Sequence, residues 1–93
     1  MGSTYLMFAS YETGSVELIT EKEAEEAKEL IQENGGSFKE GYAMFGESDL
    51  LFVVDFPDDS AAVRTSVELS NHLGVSFSTI PALNFDELDK SVE

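Results

Sequence analysis

The seven residues from 50 to 56 constrain the fold of this chain more than any other segment. They read Leu-Leu-Phe-Val-Val-Asp-Phe, so six of the seven are apolar, and Pro57 follows directly. A short run rich in aromatic and β-branched residues and closed by proline predicts a β-strand. Because successive side chains of a strand point to opposite sides, this strand is apolar on both faces. It therefore needs an apolar cover on each side of its sheet.

The segments around this strand predict the element order β-α-β-β-α-β, followed by a short terminal helix. Thr20 and Glu23 have capping-box spacing before an amphipathic run that stops at Asn34-Gly35-Gly36. A second helix, capped by Asp58 or Ser60, ends at Gly74. We predict strands over residues 4–11, 37–45, 50–56 and 75–83, with the last one broken near Pro81, and a terminal helix over 85–92. The predicted inward face of the second helix is Ala62, Val63, Ser66, Val67, Ser70 and Leu73.

This order predicts one α+β domain over residues 1–93, a ferredoxin-like βαββαβ sandwich. Two split β-α-β units with right-handed crossovers give a four-stranded antiparallel sheet with both helices on one face. The other face is open, yet the first and third strands carry apolar side chains there as well. We expect a second copy of the same sheet to cover it, as a homodimer or higher oligomer of the dimeric α/β-barrel type.

The charge of the chain limits its partners. Nineteen acidic residues against five basic ones give a net charge of −14, which repels phosphate backbones and anionic lipid headgroups. We therefore expect no nucleic-acid and no membrane partner, and no run approaches the roughly 20 apolar residues of a membrane helix. The chain has no cysteine, which excludes disulfides and thiolate chemistry. We expect a cytoplasmic protein.

Three motifs around the hairpin suggest a family. In chain order they are Gly35-Gly36-Ser37-Phe38-Lys39-Glu40-Gly41-Tyr42, Gly46-Glu47-Ser48-Asp49 and Phe56-Pro57-Asp58-Asp59. The series resembles the GYD domain family, and the resemblance covers about residues 4–88. It implies a dimeric α/β-barrel fold and no established activity. Ser48 stands where that family has its eponymous tyrosine, and Pro81 stands where its last strand often has arginine.

Two groups of residues are candidates for chemistry. His72, the only histidine, is a candidate general base or haem ligand, although a surface histidine at a helix end explains it as well. Asp55, Asp58 and Asp59 could surround a divalent cation, but capping of the second helix explains the last two without a ligand. Asp55 lies in an apolar strand, so it either pairs with Arg64 or Lys39 or reaches the rim of the sheet. We predict no metal and no cofactor, and we assign no catalytic residue.

A pocket between paired sheets is the predicted binding site. The residues predicted to line it on the first two strands are Tyr11, Tyr42, Phe8, Met7 and Met44, with His72 as a further ligand-binding candidate. The tyrosine hydroxyls would be the polar groups of the pocket. The simpler interpretation is that these residues form core or interface. The leading hypothesis is a dimer that binds a small apolar or aromatic molecule, or a protein partner, at its sheet face. The alternatives are a cofactor-independent oxygenase- or isomerase-like enzyme and a purely structural assembly.

Overall fold

Four strands and three helices form the structure, a computed structural model that describes residues 2–10, 20–44 and 48–91. The elements are β1 (Ser3–Ser10), α1 (Glu21–Glu33), β2 (Ser37–Ala43), β3 (Leu50–Phe56), α2 (Asp59–Leu73), β4 (Ser76–Ala82) and α3 (Phe85–Ser91). The strands lie in the order β2-β3-β1-β4, and every neighbouring pair is antiparallel. The predicted ferredoxin-like βαββαβ sandwich is confirmed, and so is the short terminal helix.

The ends of α1 form as the local sequence predicts. The Thr20 hydroxyl accepts from the backbone N–H of Glu23 at 3.1 Å, and the Glu23 carboxylate accepts from the N–H of Thr20 at 3.0 Å. These bonds satisfy two of the free donors at the helix start. At the other end Gly35 has a φ of 81°, and the N–H of Gly36 donates to Ile31 O at 2.8 Å. The left-handed residue lets the chain turn directly into β2.

Helix α2 begins and ends as predicted, but it presents a different face to the sheet. Asp58 caps it by accepting from the N–H of Ala61 at 2.8 Å, and Gly74 ends it with a φ of 69°. The predicted inward residues Val63 and Val67 are 61% and 55% exposed, so that part of the prediction is wrong. Small residues lie against the sheet because they allow close packing of helix and strands. The buried positions of α2 are Ala61, Ala62, Thr65 and Leu69.

Strand β4 continues through Pro81, contrary to the predicted break. Pro81 pairs with Tyr5 of β1, and the strand extends to Ala82. Because β4 is an edge strand, a proline there costs the sheet no essential hydrogen bond. The missing N–H also protects this edge from pairing with other strands.

The two central strands, β1 and β3, present apolar side chains to both sides of the sheet. The side under the helices is fully buried, whereas the other side is half-buried in the single chain. The residues buried under the helices are Tyr5, Met7, Ala9, Leu50, Phe52, Val54 and Phe56. This core includes an edge-to-face contact between Tyr5 and Phe56, whose ring centroids are 5.6 Å apart. One face of the sheet therefore packs against α1 and α2 to form the core.

The turns that connect the strands are described only in part. The hairpin between β2 and β3 closes where the N–H of Met44 donates to Asp49 O at 2.8 Å. Gly46 and Glu47 of the predicted turn lie outside the described residues, as do Tyr11 and the turn predicted at Glu12-Thr13-Gly14.

Gly36 provides a test of the packing between the α1 stop and the core. A Cβ at this position would lie 2.7 Å from Cε1 of Phe56 and 2.8 Å from Cγ2 of Ile31, both buried. We expect Gly36→Ala to lower the free energy of unfolding by about 1–3 kcal/mol, as overpacking does. Urea unfolding measures this. In a Phe56→Leu background the aromatic ring is absent, so Gly36→Ala should lower the free energy of unfolding by less. An equal decrease in both backgrounds would contradict this packing.

Candidate functional site

The structure distributes the predicted binding residues over different parts of the domain. Phe8 lies on the sheet face that no helix covers, and Tyr42 lies on edge strand β2 with half of its surface exposed. Met44 follows β2 at the hairpin. His72 lies on α2, where its Nε2 is 3.0 Å from Oε2 of Glu26 on α1. The helices cover the opposite side of the sheet from Phe8, so His72 does not share a site with the sheet-face residues. Tyr11 is outside the described residues.

The uncovered side of the sheet has an apolar centre, here named the sheet-face patch. Leu6 pairs with Val53 on one side and Ile80 on the other, so these three side chains form a row across the sheet. A second row follows where Phe8 pairs with Leu51. Within the described part of the chain, no helix packs over these side chains. The patch comprises Leu6, Phe8, Leu51, Val53 and Ile80.

Polar side chains border the patch and form hydrogen bonds or an ion pair with one another. The Thr4 hydroxyl donates to Oδ1 of Asp55 at 2.7 Å, and Nζ of Lys39 lies 3.4 Å from Oδ2 of the same carboxylate. Lys39 is thus the partner that Asp55 needed, one of the two candidates from the sequence. The Tyr42 hydroxyl donates to Glu40. That bond and the nearby negative charge raise the pKa of Tyr42.

The three aspartates considered for a cation do not share a ligand sphere. Asp55 is held by Thr4 and Lys39, Asp58 caps α2, and Asp59 accepts a hydrogen bond from the hydroxyl of Tyr5. Among the described side chains of residues 2–10, 20–44 and 48–88, no three acidic or histidine side chains gather closely enough to hold a metal ion. The capping interpretation of Asp58 is confirmed.

A groove of about 420 Å³ lies between α1 and edge strand β2. Phe38 and Phe52 form its apolar wall, with ring centroids 5.5 Å apart, and Nζ of Lys28 is 5.3 Å from the Phe38 centroid. Lys28 is also 3.8 Å from the carboxylate of Glu25. Tyr42, which pairs with Leu51 of the uncovered face, is also among the residues that line this groove.

A second groove, of about 400 Å³, lies between α2 and β4 and is here named the α2/β4 groove. At one end the hydroxyl of Tyr5, a residue only 4% exposed, donates to Oδ1 of Asp59. The Ser66 and Thr79 hydroxyls bond to each other in its lining. This groove was not identified from the sequence. One signal was present in Pro57-Asp58-Asp59, because a single aspartate caps α2 and the second is not needed for that role. The lining residues are Tyr5, Asp59, Ala62, Val63, Ser66, Val67, Phe77, Thr79 and Pro81.

The environment of Tyr5 raises its pKa from 10.0 to about 12. The main cause is the hydrogen bond to Asp59, followed by burial of the ring and by the charges of Asp59 and Asp58. All of these disfavour the phenolate. Tyr5 therefore keeps its proton at neutral pH and stays a donor to Asp59.

Comparison with known proteins supplies the family. The model described as GYD domain matches residues 5–92. The chain belongs to the GYD domain family. The sequence resemblance is thereby confirmed, even though Ser48 and Pro81 depart from the pattern. None of the curated proteins compared with this GYD domain matches it.

Two solved structures share the fold of this GYD domain. The leucine response regulatory protein LrpA of Mycobacterium tuberculosis superposes with a TM-score of 0.63 at 16% identity, covering 88% of this chain and 51% of that one. An AsnC family transcriptional regulator from Agrobacterium tumefaciens gives a TM-score of 0.53 at 22% identity, covering 88% and 52%. The chain spans about half the length of each regulator. Identities this low show a shared fold alone.

No helix among the described residues of this GYD domain has the length and apolar content needed to cross a membrane.

The pH dependence of the free energy of unfolding, compared between the wild type and a Tyr5 variant, tests the contact between Tyr5 and Asp59. We expect Tyr5→Phe to lower the free energy of unfolding by about 1.5–3 kcal/mol below pH 10, because one hydrogen bond to a carboxylate is lost. The unfolded chain ionises Tyr5 near pH 10.0, whereas the folded protein holds the proton to about 12. The stabilisation is therefore present in full below pH 10 and is lost as the pH rises toward 12. Urea unfolding of both proteins across this range should show the gap narrowing; a constant gap would contradict the contact.

Proposed function

We propose that this GYD domain is a homodimer that packs two sheet-face patches against each other and encloses a small apolar or aromatic molecule between them. The single observation that carries the proposal is the patch itself. Five apolar side chains from three strands lie together on the face without helices, inside a rim of paired polar groups. Contiguous apolar surface with a polar rim is typical of interaction sites. A second copy offers a matching surface through a two-fold axis.

The exposed apolar residues that follow β4 also support a partner chain. Leu83 is 53% exposed, and on α3 Phe85 is 85% and Leu88 is 46% exposed. Helix α3 has seven residues, and helices shorter than about 12 residues are marginal in water on their own. Ile80 of the patch lies just before these residues in the chain. A second copy that covers the patch is well placed to cover them too.

Ligand binding is supported by the mixture of groups at the border of the patch. Tyr42 offers an aromatic ring and a hydroxyl, and Phe8 offers a second ring on the same side of the sheet. Apolar walls with a few fixed polar groups are what small-molecule sites require. The shared fold with a leucine response regulatory protein agrees with a proposed role in sensing a small molecule.

Binding is better supported than catalysis. An oxygenase- or isomerase-like enzyme would need His72, Asp55 or a tyrosine to converge on one substrate. His72 contacts Glu26 in the helix layer, whereas Asp55 is engaged by Thr4 and Lys39 beside the sheet. The net charge of −14 argues against a nucleic-acid partner for this domain. The cytoplasmic location stays a prediction from the sequence.

Substitutions to threonine on the uncovered sheet face and on α2 test the dimer. We expect the double variant Leu6→Thr/Val53→Thr to shift the protein from dimer to monomer at micromolar concentration, since a two-fold interface contains each change twice. Threonine keeps β-strand propensity while adding a hydroxyl to the interface. Sedimentation velocity measures the shift.

The matched control is Val63→Thr/Val67→Thr, which changes two exposed valines of α2 on the helix side of the sheet. It should leave the dimer intact, and circular dichroism should show folded protein for both variants. A monomeric wild type at micromolar concentration, or equal dissociation of both variants, would overturn the proposed interface.

A tyrosine comparison tests the ligand site. The neutral probe 2-naphthol should bind the wild-type dimer saturably, with quenching or shift of its fluorescence. Tyr42→Phe should weaken that binding about fivefold, the equivalent of one neutral hydrogen bond of about 1 kcal/mol. Tyr5→Phe removes a hydroxyl on the other side of the sheet and should leave the affinity unchanged. Absence of saturable binding, or equal weakening by both variants, would contradict a site at Tyr42.

A further inference from the structure

We propose that the α2/β4 groove is a separate binding site for a small organic cation, an ammonium group with an apolar body, with Asp59 as the residue that binds the charge. This site lies on the helix side of the sheet and does not depend on the proposed dimer.

The carboxylate of Asp59 is positioned at the end of the groove and remains accessible to a cationic ligand. Its Oδ1 accepts the hydrogen bond from Tyr5, whose ring is buried in the core and therefore fixes the direction of the hydroxyl. The residue itself is exposed, so its carboxylate is accessible to a ligand. The Tyr5 oxygen keeps lone pairs that can accept a second N–H from an ammonium group. Asp58 caps α2, so the backbone N–H of Ala61 at the helix start already has an acceptor.

The wall of the groove is apolar and continues from Asp59 along one side of α2. Val63 and Val67 follow Asp59 at intervals of four residues, which places all three on one side of the helix. Both valines are more than half exposed although β-branched apolar residues gain nothing from facing water. Across the groove, Phe77 and Pro81 of β4 provide the opposite wall. Residues 59 and 67 are about 12 Å apart along the helix axis, at 1.5 Å per residue.

The charge of the groove selects a cation. None of the residues that line it is basic, and Asp59 stands at its end, next in the chain to Asp58, the cap of α2. The positive end of the α2 dipole disfavours a cation by about 0.3–1 kcal/mol, and two carboxylates at this end oppose that effect. The chain as a whole carries −14, which raises the local concentration of cations around it. A single accessible carboxylate beside apolar walls suits an organic ammonium ion, whereas a divalent metal needs several oxygen ligands.

The site is tested with 2-phenylethylammonium chloride as the probe, followed by the amide NMR signals of the full chain. We expect saturable shifts confined to α2 and β4 around the groove. Asp59→Asn should weaken binding about tenfold, because the amide cannot neutralise the ammonium charge yet still accepts from Tyr5. The uncharged analogue 2-phenylethanol should bind the wild type about tenfold more weakly for the same reason.

Asp86→Asn is the matched control, since it removes one exposed carboxylate from α3, outside the groove lining. It should change the affinity by less than about twofold. Equal weakening by Asp59→Asn and Asp86→Asn would show general attraction to an acidic surface and would overturn the site. So would the absence of saturable shifts, or shifts centred on the sheet-face patch. The last result would leave the ligand site of the proposed function standing while removing this one.

Discussion

The antiparallel pairing of β1 with β3 is the interaction on which the rest of the structure depends. It brings two strands that are apolar on both faces into the centre of the sheet, with Tyr5 opposite Val54 and Leu6 opposite Val53. On one side the helices α1 and α2 cover the pair and complete the core. On the other side the same register assembles the sheet-face patch. The core and the candidate interface are therefore two consequences of one register, and a slip by one residue would exchange them.

Local signals in the sequence were sufficient to predict the elements and their order. The capping box at Thr20 and Glu23, the left-handed glycines at 35 and 74, and the cap at Asp58 each act within a few residues. Such signals need no knowledge of the rest of the chain. The strand pattern at residues 50–56 is equally local, because alternation alone defines its two faces. Together they leave few topologies other than the observed one.

Features that depend on packing between elements were beyond the sequence. The rotation of α2 is decided by how closely it approaches the sheet, which favours Ala61 and Thr65 inward and leaves Val63 and Val67 exposed. Hydrophobicity alone predicts the reverse. The contact between Tyr5 and Asp59 joins residues 54 positions apart, and no local pattern indicates it. The same reason explains why the predicted site residues lie apart: Phe8 and Tyr42 lie on the predicted strands, whereas Met44 follows β2 and His72 lies in the helix layer.

The imbalance between nineteen acidic and five basic residues shapes both candidate sites. Most acidic side chains can have no basic partner within the chain, so two copies repel each other wherever their acidic surfaces meet. An interface between copies must then use a region of low net charge. The sheet-face patch is such a region, because its centre is apolar and Lys39 offsets the charge of Asp55 at its rim. The α2/β4 groove is the opposite case, since it places the carboxylate of Asp59 beside apolar walls with no basic residue in the lining. One face thus suits a like-charged copy of the chain, and the other suits a cation.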